Sequence, residues 1–225
     1  MTRAQDIIND SYNKPESNYG STRSTLFGKF YERILSKWFE ETQEYKFQRW
    51  TNGSPHKPRI YWRNINLDSL DFSRDWLSKE DVEKSLNSLK GSKSHCTLDG
   101  VLKREVSYSI WEAKNWPLYP EKGPESQIKA YFTANPWVFS KTFDFSGEGH
   151  EISEFLFSYW CIKPEEKQDI EQEINHIIGE SKFRIILTTE VINDCINKQY
   201  DWYVRIVVQE RLNIEQFFDQ LLGLK

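Results

Sequence analysis

The sequence predicts a single α/β domain with a central mixed β-sheet flanked by helices. Residues 106–110 alternate apolar and polar side chains, a pattern typical of a β-strand. Residues 154–222 contain strand-like and helix-like segments in turn, which favours a sheet with helices on its faces. The chain of 225 residues is long enough for one such domain with a substantial core.

The composition predicts a folded protein in an aqueous compartment. Apolar residues make up 38% and charged residues 28% of the chain, a balance that argues against intrinsic disorder. No segment approaches the roughly 20 apolar residues of a membrane span, and residues 1–6 lack the apolar core of a signal peptide. The three cysteines form no Cys-x-x-Cys pair, so a disulfide framework is not expected. We therefore expect a cytoplasmic protein without a membrane partner.

The charge distribution favours a nucleic-acid partner for one part of the chain. The net charge of −4 alone argues against such a partner. Residues 1–141, however, carry 22 Lys and Arg against 18 Asp and Glu, whereas residues 142–225 carry 8 against 16. A phosphate-binding surface needs local basic density rather than a basic chain. The alternative is that the acidic C-terminal part serves solubility, and the two explanations are compatible.

A polar lead-in and a strong helix open the chain. Residues 1–22 are polar and contain Pro and Gly, which predicts a flexible segment before the domain at 23–225. Residues 22–45 have apolar side chains at intervals of four, which predicts a helix. These positions are Leu26, Phe30, Ile34 and Trp38.

Residues 47–77 mix basic and aromatic side chains. Arg59 and Arg63 bound a predicted short strand, and Trp50, Tyr61 and Trp62 lie close in sequence. Such a mixture suits contact with a nucleic-acid backbone together with base stacking. We predict that this segment is a substrate-contacting insertion. The alternative is a Trp-rich satellite core with solvated arginines.

The most informative stretch is a predicted β-hairpin. Asp99 precedes its first strand, residues 103–105 are expected to form the turn, and Glu112 and Lys114 end the second strand. Residues two apart in a strand point the same way, so Glu112 and Lys114 share a face. Antiparallel pairing then places Asp99 opposite the end of the second strand. Two carboxylates and one ammonium are therefore predicted to converge.

This group of charges suits a hard divalent cation. Mg²⁺ is bound through oxygen, often by only one or two carboxylates. Such a cation acidifies a water molecule and screens a phosphodiester, while a lysine orients the water or offsets charge. The alternative is that these residues are solvated strand ends. The break in the strand after Lys114 favours a site, because ligands bind at the carboxyl ends of strands in α/β sheets.

The remaining elements complete the α/β pattern. The sequence predicts helices at 81–89, 125–133, 164–178, 191–196 and 214–222, and strands at 154–162, 183–188 and 203–208.

Asp99 followed by Glu112-Ala113-Lys114 resembles the PD-(D/E)xK nuclease superfamily, which includes restriction enzymes, junction resolvases and repair exonucleases. Leu98 stands where the name-giving proline would lie, and many members lack that proline. The resemblance implies a restriction endonuclease-like core in which Asp99 and Glu112 bind metal. It also implies that Lys114 acts near the nucleophilic water and that the carbonyl of Ala113 is a further metal ligand.

Two further motifs extend this resemblance. Gly28-x-x-x-Glu32 resembles the first helix of the superfamily, whose glutamate reaches toward the metal in several branches; an exposed helix glutamate is the equal alternative. Gln127-x-x-x-Tyr131 resembles the extra motif of the RecB-like branch, which positions the substrate or the catalytic lysine. Residues four apart share a helix face, and Lys129 between them is a candidate phosphate contact.

We therefore expect a Mg²⁺- or Mn²⁺-dependent DNA endonuclease, with a homodimer as a further expectation from the same resemblance. The expected catalytic residues are Asp99, Glu112, Lys114, Glu32 and Gln127. The expected metal ligands are Asp99, Glu112, Glu32 and Ala113. The expected nucleic-acid contacts are Lys129, Tyr131, Arg59, Arg63, Lys103 and Arg104. Two alternatives stay open: an RNA-cleaving enzyme, and a catalytically inactive nucleic-acid-binding or protein-interaction module of the same fold.

Overall fold

The structure is a computed structural model, and it describes residues 30–48, 58–114, 123–180 and 182–222. The predictions for the lead-in at 1–22 and for Gly28 lie outside the described residues, as does the part of the predicted insertion at 49–57.

A five-stranded mixed sheet forms the centre of the described structure, with the strand order β1–β4–β5–β8–β9. These strands are β1 (Lys46–Gln48), β4 (Gly100–Arg104), β5 (Ser107–Lys114), β8 (Glu154–Tyr159) and β9 (Phe183–Leu187). Strand β4 pairs antiparallel with both β1 and β5, whereas β8 pairs in parallel with β5 and β9. The predicted α/β class with a mixed sheet is therefore confirmed.

A second, four-stranded antiparallel sheet has the order β3–β2–β6–β7, and the sequence did not predict it. Its strands are β2 (Arg59–Tyr61), β3 (His95–Thr97), β6 (Thr142–Phe145) and β7 (Glu148–Glu151). Ile60 and Phe143 of this sheet share one hydrophobic core with Val101 and Ile110 of the central sheet. Strands of three or four residues carry too little alternation to stand out in a sequence.

Helices cover both faces of the central sheet. They are α1 (30–42), α2 (Lys79–Ser92), α3 (Pro124–Ala134), α4 (Pro164–Ile178), α5 (Thr188–Asn197) and α6 (Asp201–Leu222). Ile110 and Trp111, which are adjacent in β5, belong to different hydrophobic clusters because successive strand residues point to opposite faces. Helix α3 buries Ile128 on the face of Ile110, whereas α1 and α5 bury Leu35 and Val191 on the face of Trp111.

Most of the predicted helices are confirmed. Helices α2, α3, α4 and α5 each contain the helix expected there from the sequence. Helix α1 ends at residue 42 rather than 45, because Glu44 adopts a positive φ of 57° and the chain turns into β1. None of the described helices combines the length and apolar character needed to cross a membrane.

The sequence predicts a strand over 203–208, and this prediction is wrong. These residues lie within α6, which is continuous from Asp201 to Leu222. Their many β-branched side chains favour a strand by propensity. Burial nevertheless follows the helical period, since Ile206 is buried with Trp202 and Tyr203 packed against the same cluster, while Val204 and Val208 are exposed. Packing of one helix face outweighs the weak intrinsic preference.

The predicted turn of the hairpin is also corrected. Lys103 and Arg104 belong to β4, and the turn consists of Glu105 and Val106. Glu105 has a positive φ of 51°, and the Val106 side chain is exposed to solvent. The turn therefore lies slightly later than predicted, and Asp99 still falls beside the end of β5.

Part of the basic and aromatic segment packs into the larger core. Trp62 is buried there with Ile65 and Leu67, whereas Arg63 is exposed. Trp62 therefore belongs to the main core rather than to a satellite core, and contact of this segment with a substrate stays a prediction.

Candidate active site

The β4–β5 hairpin places Asp99 beside the end of β5. Gly100 pairs with Trp111 in the antiparallel register, so Asp99 lies next to the last residues of that strand. The backbone N–H of Ala113 donates a hydrogen bond to Asp99 Oδ2 over 2.9 Å. This hydrogen bond anchors the Asp99 carboxylate to the strand that carries Glu112.

Glu112 is the buried carboxylate of the site, with 4% of its surface exposed. Its Oε1 accepts hydrogen bonds from Lys114 Nζ at 3.2 Å and from the Tyr131 hydroxyl at 2.7 Å. Its Oε2 is buried and has no hydrogen-bond donor within the described part of the chain, and the Asp99 carboxyl lies close enough to share a proton with the Glu112 carboxyl. Burying a carboxylate oxygen without a hydrogen bond costs free energy. Binding of a cation or a proton at this atom would remove that cost.

Burial raises the pKa of Glu112 to about 7, and the carboxylate of Asp99 adds to this shift. Lys114 and the Tyr131 hydroxyl oppose the rise, because both stabilise the ionised carboxylate. The pKa of Asp99 is also raised, mainly because protein atoms crowd its carboxylate and remove part of its hydration. The Asp99 side chain is nevertheless accessible to solvent, unlike that of Glu112. Two neighbouring carboxylates with raised pKa values favour the binding of positive charge.

Lys114 lies at the edge of this cluster. Its Nζ is 3.2 Å from Glu112 Oε1 and 5.1 Å from the centroid of the Tyr131 ring. About a third of its side chain (34%) is exposed. A partly exposed ammonium beside a buried carboxylate can contact both a water molecule and a bound anion.

Helix α3 presents Gln127 and Tyr131 to the end of the central sheet. The Tyr159 hydroxyl donates a hydrogen bond to Gln127 Oε1 at 2.9 Å, and Tyr159 pairs with Lys114 in the parallel register of β5 and β8. Burial raises the pKa of the Tyr131 hydroxyl, and the charge of Glu112 raises it further. Tyr131 therefore remains a proton donor to Glu112 at neutral pH. The predicted common helix face of Gln127 and Tyr131 is confirmed.

Two residues of the site were not predicted from the sequence, Tyr159 and Trp137. The indole N–H of Trp137 donates a hydrogen bond to the Tyr131 hydroxyl oxygen at 2.9 Å. Trp137 lies in the short 3₁₀ helix Pro136–Phe139 that follows α3. Pro136 predicts the end of the preceding helix, but no local pattern indicates that the next residue folds back onto Tyr131.

Glu32 lies on α1. This helix packs against one face of the central sheet, whereas the Glu112 carboxylate lies on the opposite face. The ring centroids of Tyr31 and Trp160 are 4.9 Å apart, and Trp160 follows β8, so the described start of α1 lies at the same end of the sheet as Lys114. Among the described residues, no three or more His, Cys, Asp and Glu side chains form a group that could hold a metal. The metal-binding role of Glu32 stays a prediction.

Two of the predicted nucleic-acid contacts outside the hairpin, Arg63 and Lys129, lie over aromatic rings. The Arg63 guanidinium is 5.1 Å from the centroid of Tyr61, on the strand that also carries Arg59. Lys129 Nζ lies 5.1 Å from the centroid of the Trp76 ring. Lys129 also forms an ion pair with Glu125 at 3.3 Å, so a phosphate would have to compete for its ammonium.

Lys103 and Arg104 lie at the opposite end of the hairpin from Asp99. At about 3.4 Å per strand residue, Arg104 is roughly 17 Å along β4 from Asp99. Its guanidinium donates a hydrogen bond to the backbone oxygen of Gln43 at 2.9 Å and lies over the Tyr45 ring. These two basic residues can therefore contact a nucleic acid bound at Asp99 only if it runs along the hairpin.

No protein-family model matches the chain, and neither a curated protein nor a solved structure matches it. The function is therefore argued from the residues of the site and their geometry.

The donor set of the site fits Mg²⁺ or Mn²⁺. These ions prefer oxygen ligands, and Mg²⁺ commonly takes only one or two carboxylates while keeping water in its other positions. Glu112 Oε2 is buried without a hydrogen-bond donor among the described residues, and the Asp99 carboxylate lies close enough to Glu112 to raise its pKa. The nearby Cys96 is buried, which raises the pKa of its thiol, and sulfur is a soft ligand that Mg²⁺ and Mn²⁺ do not prefer.

Proposed function

We propose that the protein is a divalent-metal-dependent nuclease that hydrolyses phosphodiester bonds within DNA. The proposal includes a restriction endonuclease-like core, in which the β4–β5 hairpin carries the reacting groups. The observation that carries it is Glu112 Oε2, a buried carboxylate oxygen without a hydrogen-bond donor among the described residues, in a cluster with Asp99 and Lys114. Carboxylates that can hold a divalent cation, with an ammonium beside them, suit metal-assisted phosphodiester hydrolysis.

In this proposal Asp99 and Glu112 hold Mg²⁺ or Mn²⁺, together with the backbone carbonyl of Ala113. A cation bound there would supply positive charge against the phosphodiester and would lower the pKa of a bound water molecule. Lys114 orients the attacking water and offsets the negative charge that develops on the phosphate in the transition state. The proposal keeps a metal-binding role for Glu32, which lies on α1 near the end of the sheet that carries Lys114.

Helix α3 supports these groups from the side. The Tyr131 hydroxyl holds Glu112 through Oε1, so the hydrogen bond leaves Oε2 to the cation. Gln127 is held by Tyr159 at the same end of the sheet as Lys114, and we assign it a contact with the substrate. Arg59, Arg63 and Lys129 are the proposed contacts to the nucleic-acid backbone.

A specific observation favours an enzyme over an inactive module of the same fold. A module that only binds a nucleic acid gains nothing from a buried carboxylate, because that charge repels phosphate and is costly to desolvate. The raised pKa of Glu112 expresses this cost. A metal-dependent reaction requires the carboxylate and offsets the cost when the cation binds.

The test is a cleavage assay with the purified protein in Mg²⁺, Mn²⁺ or EDTA. Linear, circular, branched and single-stranded DNA are compared with RNA of matched sequence. We expect cleavage of DNA in either metal, loss of cleavage in EDTA, and nicking or linearisation of circular DNA. Cleavage of RNA without cleavage of DNA would support the alternative that the protein is an RNA-cleaving enzyme. Binding of nucleic acid without cleavage under any condition would support the inactive module and overturn the proposal.

A further inference from the structure

A chain of two hydrogen bonds leads from Trp137 to the buried carboxylate. Trp137 Nε1 lies 2.9 Å from the Tyr131 hydroxyl oxygen, which lies 2.7 Å from Glu112 Oε1. An indole N–H can only donate, whereas a phenol has one proton and also accepts. The Tyr131 oxygen therefore accepts from Trp137 and donates its single proton to Glu112. The indole, the phenol and the carboxylate thus fix which group donates and which accepts in each of the two hydrogen bonds.

The position of Trp137 is fixed by backbone and by core packing. The N–H of Asn135 donates to the backbone oxygen of Tyr131 at 2.8 Å, and the N–H of Trp137 donates to the oxygen of Asn135 at 2.8 Å. These bonds fold the chain back at the end of α3. The Trp137 ring also packs on the buried Trp62 ring, with centroids 5.4 Å apart and planes inclined by 31°. The indole N–H is thus held in one direction relative to Tyr131.

We propose that Trp137 is a positioning residue for the metal site: its indole N–H orients the Tyr131 hydroxyl, which holds Glu112 by Oε1 and leaves Oε2 to the cation. This inference rests on the metal-dependent function proposed above. A donor to a phenol oxygen strengthens that phenol as a hydrogen-bond donor, because linked hydrogen bonds polarise one another. Trp137 thus acts on Glu112 only through Tyr131.

The consequence is a loss of metal affinity when the indole N–H is removed. Without it the Tyr131 hydroxyl is free to rotate, and the Glu112 carboxylate samples orientations in which Oε2 does not face the cation. Outer partners of metal ligands typically contribute about 10-fold or more to affinity. We expect a similar decrease in Mn²⁺ affinity for Trp137→Phe, which keeps an aromatic ring but has no N–H.

The experiment is a double-mutant cycle read by calorimetric titration of Mn²⁺ alone. Wild type, Trp137→Phe, Tyr131→Phe and the double variant are compared. We expect about 10-fold weaker binding in Trp137→Phe, and no further loss when this change is added to Tyr131→Phe. Equal losses in both backgrounds would mean that Trp137 acts by general packing and would overturn the inference. If Trp137→Phe does not fold, Trp137→Leu takes its place in the cycle.

Trp38→Phe is the matched control. It removes an indole hydrogen bond of 3.0 Å to Asp194, on the other face of the sheet. We expect a lower melting temperature with unchanged Mn²⁺ affinity. If wild type does not bind Mn²⁺, the proposed function fails. If wild type binds Mn²⁺ and Trp137→Phe binds it equally well, only the positioning role of Trp137 is overturned.

Discussion

Tyr131 of α3 donates its hydroxyl proton to Glu112 of β5 over 2.7 Å, and this hydrogen bond joins a helix to the end of the central sheet. The same carboxylate oxygen accepts from Lys114, whereas the second oxygen is buried without a described partner. The candidate site is therefore built from the hairpin and from α3 together. Both donors to Glu112 hold one oxygen and leave the other to a ligand.

The raised pKa of Glu112 predicts that the metal-free protein loses stability as the pH rises. The pKa is about 7 in the folded protein, against 4.5 for an ordinary glutamate, so the folded state binds more protons between these values. The free energy of unfolding therefore falls across this window, and the raised pKa of Asp99 acts in the same direction. Urea denaturation in EDTA at about pH 5 and about pH 8 measures the effect.

Glu112→Gln is the control for this pH dependence, because the amide does not titrate. We expect the difference in unfolding free energy, wild type minus variant, to decrease from the lower to the higher pH. A difference that stays constant or increases would show that Glu112 is not desolvated in solution.

Binding of a divalent cation should stabilise the folded protein, and more so at higher pH. The cation replaces the proton on Glu112 and relieves its repulsion with Asp99, so affinity rises as these groups ionise. Thermal denaturation with and without Mg²⁺ or Mn²⁺ should show a higher melting temperature with metal, with a larger shift at about pH 8 than at about pH 5. An equal shift in Glu112→Gln would place the bound metal elsewhere.

The hairpin part of the site could be predicted from the sequence because it depends on local geometry. Ala113 and Asp99, which share a hydrogen bond, are only 14 residues apart. A tight antiparallel turn between them brings Asp99 beside the end of β5 even though the turn lies later than predicted. The alternation of side chains then gives Glu112 and Lys114 a common face.

The outer part of the site depends on packing between distant segments. Tyr159 reaches Gln127 because β8 pairs in parallel with β5, and parallel pairing leaves no turn signal in the sequence. Trp137 reaches Tyr131 because a 3₁₀ helix folds back against Trp62. No periodicity of apolar residues encodes these contacts. The second sheet was missed for a similar reason, since its strands are very short.

Lys114→Ala and Glu112→Ala should fail in different ways. Glu112→Ala removes a metal ligand, so metal affinity and cleavage should both be lost. Lys114→Ala leaves both carboxylates, so metal should still bind while the chemical step slows by about 10²-fold or more. Nucleic-acid affinity should fall modestly, with a change of about one unit in the salt slope. Calorimetry, DNA binding and single-turnover cleavage measure these three effects separately.

Lys79→Ala is a control for the loss of a lysine, since Lys79, at the start of α2, pairs with the exposed Asp68. We expect this variant to behave as wild type. If Lys114→Ala also cleaves as fast as wild type, the catalytic lysine is wrongly assigned.

Gly100 follows Asp99 in the sequence, and the side chains of Phe47 and Trp111 pack closely against its backbone. A Cβ at this position would lie 2.6 Å from Cζ of Phe47 and 3.0 Å from Cε3 of Trp111. We expect Gly100→Ala to destabilise the protein by about 1–3 kcal/mol, as overpacking typically does. Gly91→Ala is the matched comparison, because nothing lies within 4 Å of its Cβ and alanine favours the helix there. It should be neutral or stabilising by up to about 1 kcal/mol. Urea denaturation measures both changes, and equal stability of the two variants would contradict the packing described at Gly100.

The central claim is that Glu112 takes part in metal-dependent cleavage of DNA. The most direct test is the single-turnover rate of cleavage of supercoiled plasmid DNA in Mg²⁺, measured for wild type, Glu112→Gln and Glu154→Gln. Glu154 is a carboxylate at the start of β8 that accepts hydrogen bonds from Tyr45 and Ser109, so its replacement controls for a lost charge in the same sheet. We predict cleavage by wild type and by Glu154→Gln, and a rate lower by about 10²-fold or more for Glu112→Gln. Equal rates for Glu112→Gln and wild type, or no cleavage by wild type with metal bound, would contradict the account.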